Sequence, residues 1–308
     1  MKNQLLMLLC FLTIPHAIAD FDMHDLKILV EQSELKDSDV FIVWKDGVLL
    51  HSKNPDSAKK YSIQSVTKSL TAMTAVCILK DQPEKLDLPL VFKEWEGTAK
   101  AGITLRMLLS MTSGIIDPAD PWGEHDYYQH AADQPLTFLP GEKFVYANTS
   151  PMMIGKWIKE STGQQFSYHI KKCMFDALKI SDWTIGKDGK KNEVVAGGIK
   201  ILAQDLLKVG IMLAQGGNYQ GKQLFSPSQI TELRKDPLKD GHSYSLGFWL
   251  WGRDIYYMEG YLGQFLIMVP SQKLVVLRLR NRALMQDSPE NNLNSFTELP
   301  GLINQLIK

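Results

Sequence analysis

Strand-like segments lie at the two ends of this chain, and the stretch between them carries helical spacing. Residues 39–44 and 48–51 are apolar, rich in β-branched and aromatic side chains, and flank Lys45-Asp46-Gly47, whose Asp-Gly pair suits a tight hairpin turn. Residues 244–251, 265–269 and 274–279 read the same way, the last two joined through Pro270-Ser271-Gln272-Lys273. Between these ends, apolar residues recur at helical spacing over 105–111, 151–161, 165–178 and 199–215, and a last helix is expected over 298–307. Strands segregated from helices predict an α+β fold rather than an alternating parallel sheet. No internal repeat is visible. The longest irregular stretch, 114–138, carries Pro118, Pro121, Trp122, Gly123, Tyr127 and Tyr128, and a long aromatic loop of this kind suits a binding wall.

Within this frame Ser65-Val66-Thr67-Lys68 stands where the extended stretch 61–64 gives way to a helix. Val66, Leu70, Met73 and Cys77 then step by four, three and four, the stripe of a helix with one buried face. Positions i and i+3 share a helix face, so the Lys68 amine can reach the Ser65 hydroxyl. The free N–H groups and positive dipole end of a first turn favour negative charge there. The same spacing recurs at Ser33-Glu34-Leu35-Lys36 and Ser57-Ala58-Lys59-Lys60, but in a charged run and a polar loop. Lys68 therefore has two readings, a solvated first-turn residue or the base of a nucleophilic serine.

Residues 138–145 form a turn leading into Tyr146-Ala147-Asn148. A tyrosine beside an ammonium can ionise far below its usual pKa and serve as a general base. Asn148, two residues on along an extended chain, would point to the same side and bond the lysine or a substrate carbonyl. The plain alternative is a packed ring and a turn residue.

Met1-Lys2-Asn3, an apolar run from Leu5 to Ile14 and Ala17-Ile18-Ala19 describe a secretory signal peptide over residues 1–19, with a retained anchor as the alternative. That run is too short to span a bilayer, and no later one is long enough, so no stable membrane span is expected once the signal is removed. Lys plus Arg and Asp plus Glu both number 34, and with no basic patch a nucleic-acid partner is not expected. No cysteine or histidine spacing suggests a metal, and nothing calls for a cofactor. Beyond the signal only Cys77 and Cys173 remain, and Cys77, on the buried stripe, reads as a packed thiol rather than half of a disulfide.

Taken in order, Ser65-Val66-Thr67-Lys68, residues 108–115 (LLSMTSGI), Pro140-Gly141-Glu142 and Tyr146-Ala147-Asn148 resemble the serine β-lactamase-related hydrolases: class C β-lactamases, esterases and D-alanyl-D-alanine peptidases. Ala196-Gly197-Gly198-Ile199 with Asp205-Leu206, and Gly216-Gly217 with Gly221-Lys222-Gln223, resemble the branch that contains 6-aminohexanoate-dimer hydrolase. The resemblance covers roughly residues 39–281. It implies a central antiparallel sheet built from both chain ends and flanked by helices (residues 20–80 and 195–308), with a mostly helical domain inserted over 81–194. It also implies that Ser65 attacks a carbonyl while Tyr146, held as phenolate by Lys68, moves the proton.

The third family motif, Lys or His, then Thr or Ser, then Gly, is where the chain departs. The best frame is Met258-Glu259-Gly260, which would place the Tyr261 N–H beside that of Ser65 as an oxyanion hole. An alternative frame, Tyr261-Leu262-Gly263, would move the donor to Gln264. Neither frame has a lysine to hold a substrate carboxylate, and Glu259 would repel an anion if it faces the cleft, so a neutral or amine-bearing ester or amide is expected and efficient β-lactam cleavage is not. Trp249 and Trp251 alternate onto one sheet face and read mainly as core, while one or two rings from Tyr256, Tyr257 and Tyr261 could line an acyl pocket. The expectation is a periplasmic or secreted serine hydrolase acting on a small-molecule ester or amide. A D-amino-acid peptidase or penicillin-recognising enzyme, and a non-catalytic binding or sensor relative, are the alternatives. Oligomeric state is not legible.

Overall fold

The structure, a computed structural model, describes residues 21–35, 37–118, 125–235, 243–281 and 297–307. The signal segment and Pro121, Trp122 and Gly123 lie outside the described residues. The chain runs α1 (Met23–Leu35), β1 (Val40–Lys45), β2 (Val48–Lys53), β3 (Lys60–Ser62) and α2 (Val66–Ile78), then α3 (Leu105–Leu109), α4 (Tyr127–Asp133), α5 (Thr149–Thr162) and α6 (Phe166–Ile170). It continues through β4 (Trp183–Ile185), β5 (Ile199–Leu202), α7 (Ala203–Ala214), the short hairpin β6 (Asn218–Tyr219) and β7 (Lys222–Gln223), and α8 (Pro227–Leu233). Strands β8 (Trp249–Trp251), β9 (Ile255–Gly260), β10 (Gln264–Val269) and β11 (Leu274–Leu279) and helix α9 (Leu299–Leu306) close it.

Both chain ends meet in one antiparallel sheet ordered β2-β1-β11-β10-β9-β8, the arrangement the segregated strand patterns and the family resemblance imply. The β1–β2 turn uses the left-handed region at both Asp46 (φ 43°) and Gly47 (φ 91°), which is why an Asp-Gly pair suits it. The sheet is covered on both faces, so every residue of β10 and β11 is buried and residues 265–269 and 274–277 are continuous apolar runs instead of alternating ones. Leu266, Met268, Val275 and Leu277 pack towards α2 and α7. Phe265, Ile267, Leu274 and Val276 join Leu29 of α1 and Ile303 of α9 on the other face. Full burial of each such aliphatic side chain contributes roughly 1.5–3 kcal/mol.

Four expectations change. The segment 199–215 starts as strand β5, pairing with β3 and β4, and becomes helical only at Ala203, because Ile199 and Ile201 alternate inward with period two. The stretch 114–138 is not wholly irregular: Asp126 caps α4 by accepting from the Gln129 N–H, and Tyr128 is buried, donating to the Glu193 carbonyl at 3.0 Å. Helix 165–178 is α6 followed by a wider π turn over Lys171–Phe175. That turn carries Cys173, which is disulfide-bonded to Cys77, 96 residues away and 6.1 Å between Cα atoms. The thiol reading of Cys77 fails because α2 packs against this segment, and the stripe faces a partner cysteine.

Candidate active site

The backbone turns sharply before α2. Gln64 sits at φ 52°, an uncommon conformation for a residue with a Cβ, and Ser65 follows at the helix N-cap. Val66 through Val76 are buried under the sheet and the surrounding helices, so Ser65 alone of this first turn faces the cleft. Lys68 is buried, and its Nζ lies 2.8 Å from Ser65 Oγ, 2.8 Å from Asn148 Oδ1 and 2.8 Å from the Ala196 carbonyl. Two of these partners are carbonyl oxygens that can only accept, and the third is a hydroxyl. The set serves both protonation states: an ammonium donates to all three oxygens, and a neutral amine donates to the two carbonyls and can turn its lone pair to the Ser65 proton. Burial pulls the Lys68 pKa down to about 7, opposed by the negative charge of Asp117.

Asp117 was not among the sequence candidates. Its carboxylate accepts from the Asn148 backbone N–H (2.6 and 2.8 Å), from Asn148 Nδ2 (2.7 Å) and from the Thr149 N–H (2.8 Å) at the start of α5. It thereby satisfies two orphan donors of that helix and turns the Asn148 carbonyl towards Lys68. Asn148 has helical dihedrals as the α5 N-cap, not the extended geometry expected, yet it still reaches Lys68. The Ala196 carbonyl is held through its neighbour: the Val195 carbonyl accepts from Thr71 Oγ1 of α2 at 2.9 Å.

Tyr146 opens its ring to the cleft, 5.1 Å from Lys68 Nζ at the ring centroid, and its hydroxyl hydrogen-bonds the Ser65 side chain. Burial of that hydroxyl pushes its pKa up to about 12, the bond to Ser65 opposing. The direction is opposite to the phenolate expectation. Burial disfavours both the phenolate and the ammonium, so the pair is a neutral phenol beside an amine that loses its proton near neutrality.

These groups open onto a pocket of ≈ 540 Å³ whose walls include Gln64, Tyr146, Gly197, Trp249 and Tyr261. Gly260 is demanded by the fold: a Cβ there would lie 2.4 Å from the Ile63 carbonyl, so only glycine lets the end of β9 pass the chain just before the nucleophile. Glu259, Gly260 and Tyr261 all line the pocket with Ser65. Gln264 of the alternative frame does not; its side chain is buried and bonds the Arg280 backbone. Met258 is wholly buried in the core. Trp249 also departs from expectation: it stacks on Tyr146 (5.8 Å, 18°) in the cleft, whereas Trp251 is exposed. Tyr256 is core, its hydroxyl donating to the Leu213 carbonyl.

Comparison with known families decides the assignment, because the Beta-lactamase family model matches residues 33–296. The chain belongs to the beta-lactamase family. It carries the serine hydrolase fold of that family, as the ordered motifs imply. Among solved structures, a protein from Bacteroides dorei DSM 17855 assigned as a beta-lactamase superposes at TM-score 0.76 with 16% identity, over 93% of this chain and 99% of that one. A Bacillus anthracis protein assigned as a 6-aminohexanoate-dimer hydrolase gives 0.74 and 18%, over 90% and 80%. The octameric penicillin-binding protein homologue from Pyrococcus abyssi gives 0.66 and 19%, over 84% and 73%. At these identities the likeness is one of fold. The curated proteins return no significant match.

Proposed function

We propose that this beta-lactamase family member is an exported serine hydrolase that cleaves an ester or amide through an acyl-enzyme on Ser65. The observation that carries the reading is the buried Lys68 amine, 2.8 Å from Ser65 Oγ and otherwise bonded only to carbonyl oxygens. In the proposed cycle neutral Lys68 takes the Ser65 proton as Oγ bonds to the substrate carbonyl carbon. The Ser65 and Tyr261 N–H groups hold the oxyanion, worth about 3–4 kcal/mol in comparable sites. Tyr146 gives its phenolic proton to the leaving alkoxide or amine and recovers one from the Lys68 ammonium, so one proton leaves with the product, Lys68 is neutral again and the proton taken from Ser65 ends in the pair. Water then attacks the ester carbonyl, its proton passing to the same pair as Ser65 is released. The Cys77–Cys173 disulfide supports export, since such bonds persist outside the reducing cytosol.

Met258 stands where relatives carry a lysine or histidine, and Glu259 faces the cleft, which argues against an anionic β-lactam. A D-amino-acid peptidase would need a carboxylate anchor. One observation favours keeping that reading second: Lys59, Lys60, Lys200 and Arg280 line a neighbouring pocket of ≈ 470 Å³, which meets the cleft at Gln64.

Intact-mass spectrometry after exposure to a fluorophosphonate, a p-nitrophenyl ester and penicillin tests the reading. The expected result is an adduct with the first two that is missing in Ser65→Ala, and no penicillin turnover. Absence of an adduct with every reagent would overturn the acyl-enzyme.

A further inference from the structure

Glu259 is the one formally charged side chain among the described residues lining the pocket. It stands on β9 one residue before the Gly260 that touches the nucleophile's approach, and its neighbours there are rings: Tyr257 on its own strand face and Phe265 across the β9–β10 pairing. No hydrogen bond or ion pair joins it to another described residue, and burial alone raises its pKa. Its charge is felt by Tyr146 and Tyr257, while the charge that acts on Lys68 is that of Asp117. Among the described residues Glu259 therefore has aromatic surroundings and no counter-ion.

A carboxylate placed this way is costly unless something cationic completes it. Tyr146, Trp249 and Tyr261 line the same pocket, and the faces of such rings attract an ammonium when water is displaced. A neutral acyl chain would use the rings and leave the carboxylate uncompensated. An anionic one would be repelled by it. We infer that the cleft is built for substrates bearing an ammonium group, with Glu259 as counter-ion and Tyr146, Trp249 and Tyr261 as the rings around it. This inference rests on the acyl-enzyme reading above, and it makes Glu259 a specificity residue that has no part in moving the proton.

The test compares p-nitrophenyl esters of 4-(trimethylammonio)butyrate and 5,5-dimethylhexanoate, which differ by one nitrogen for one carbon, with the mono-ester of glutarate as the anionic member. The quaternary nitrogen prevents cyclisation in the cationic ester, and dividing its kcat/KM and that of its neutral isostere by their uncatalysed rates removes the inductive effect of the charge; the glutarate ester, whose own carboxylate expels p-nitrophenolate as the cyclic anhydride forms, is compared by kcat/KM without that division. For the full chain the cationic ester should exceed the neutral one by about tenfold or more, with glutarate poorest. In Glu259→Gln the cationic-to-neutral ratio should fall by about tenfold. A ratio at or below one, or a ratio unchanged in Glu259→Gln, would overturn the inference while leaving the acyl-enzyme intact. If no ester shows Ser65-dependent turnover, the acyl-enzyme reading fails instead, and calorimetric binding of 4-(trimethylammonio)butyramide and 5,5-dimethylhexanamide to Ser65→Ala decides the cation question. Binding of the cationic amide that is weakened about tenfold by adding Glu259→Gln would sustain it; equal binding of both amides would end it.

Discussion

If Lys68 is the base, its protonation should write the acid limb of the pH–rate profile, and Asp117 should set where that limb falls. The active form carries a neutral amine, so kcat/KM should rise with pH through an apparent pKa near 7 and then level off, with Tyr146 still protonated up to about 12. Replacing Asp117 with Asn removes a negative charge that favours the ammonium, which lowers the Lys68 pKa and moves the limb to lower pH. Asn148 bridges the two, 2.8 Å from Lys68 and 2.7 Å from Asp117, so the charges lie within about 8 Å; at an effective dielectric of ~20 the interaction is about 2 kcal/mol, or about 1.5 pH units. A shift of that size would carry the amine from about 3% to about 50% neutral at pH ~5.5. Stopped-flow or plate-based hydrolysis of a p-nitrophenyl ester, with each profile normalised to its own plateau, reads the shift directly. The plateau itself should fall, because Asp117 also holds the Asn148 and Thr149 N–H groups. A limb that stays put or moves upward would refute the assignment of the amine. A wild-type rate that keeps climbing through the alkaline range would restore a phenolate base.

Two further outcomes follow from the same geometry. Lys68→Ala and Tyr146→Phe should each lower kcat by two or more orders of magnitude, and because both act on the Ser65 proton the double variant should be little worse than the poorer single; additive losses would separate their roles. Replacing Cys77 and Cys173 together by Ala should cost about 2–5 kcal/mol and lower the Tm by on the order of 10 °C, since the bridge closes a long loop between α2 and the turn after α6; an unchanged Tm by calorimetry would show that packing alone holds the two segments.

The legible part of the fold was written in local pattern. β1, β10 and β11 are recognisable because a sheet covered on both faces needs continuous apolar runs, and Ser65 with Lys68 because i and i+3 share a helix face. Asp117 left no such trace. Its partners lie 31 and 32 positions away, and its importance arises only when α5 is set against the cleft. The Ala196 carbonyl is a backbone group and has no residue signature at all. Cys77 was misjudged for a related reason: helical spacing reports that a face is buried, but not what it is buried against, and here that is Cys173. The phenolate expectation erred in physics more than in pattern. It counted the positive neighbour of Tyr146 and left out the burial that acts on both groups.

The departure at 258–260 gains meaning only with the strand in place. Met258 is sealed in the core, and Glu259 is the residue of the pair that lines the cleft. Among the described residues lining the pocket, the formal charge is therefore negative. Lys68 offsets it only in its protonated form, since burial draws its pKa to about 7 and the carboxylate of Asp117 acts on it. Burial is what holds the Tyr146 proton in place for the proposed donor step, so the charge of Glu259 is left to select a cation in the substrate. Glu259→Lys therefore tests the sign of this pocket in a single change. Preference should swing from the trimethylammoniobutyrate to the glutarate ester, read as the ratio of their kcat/KM values; retention of the cationic preference in that variant would place the selecting charge elsewhere.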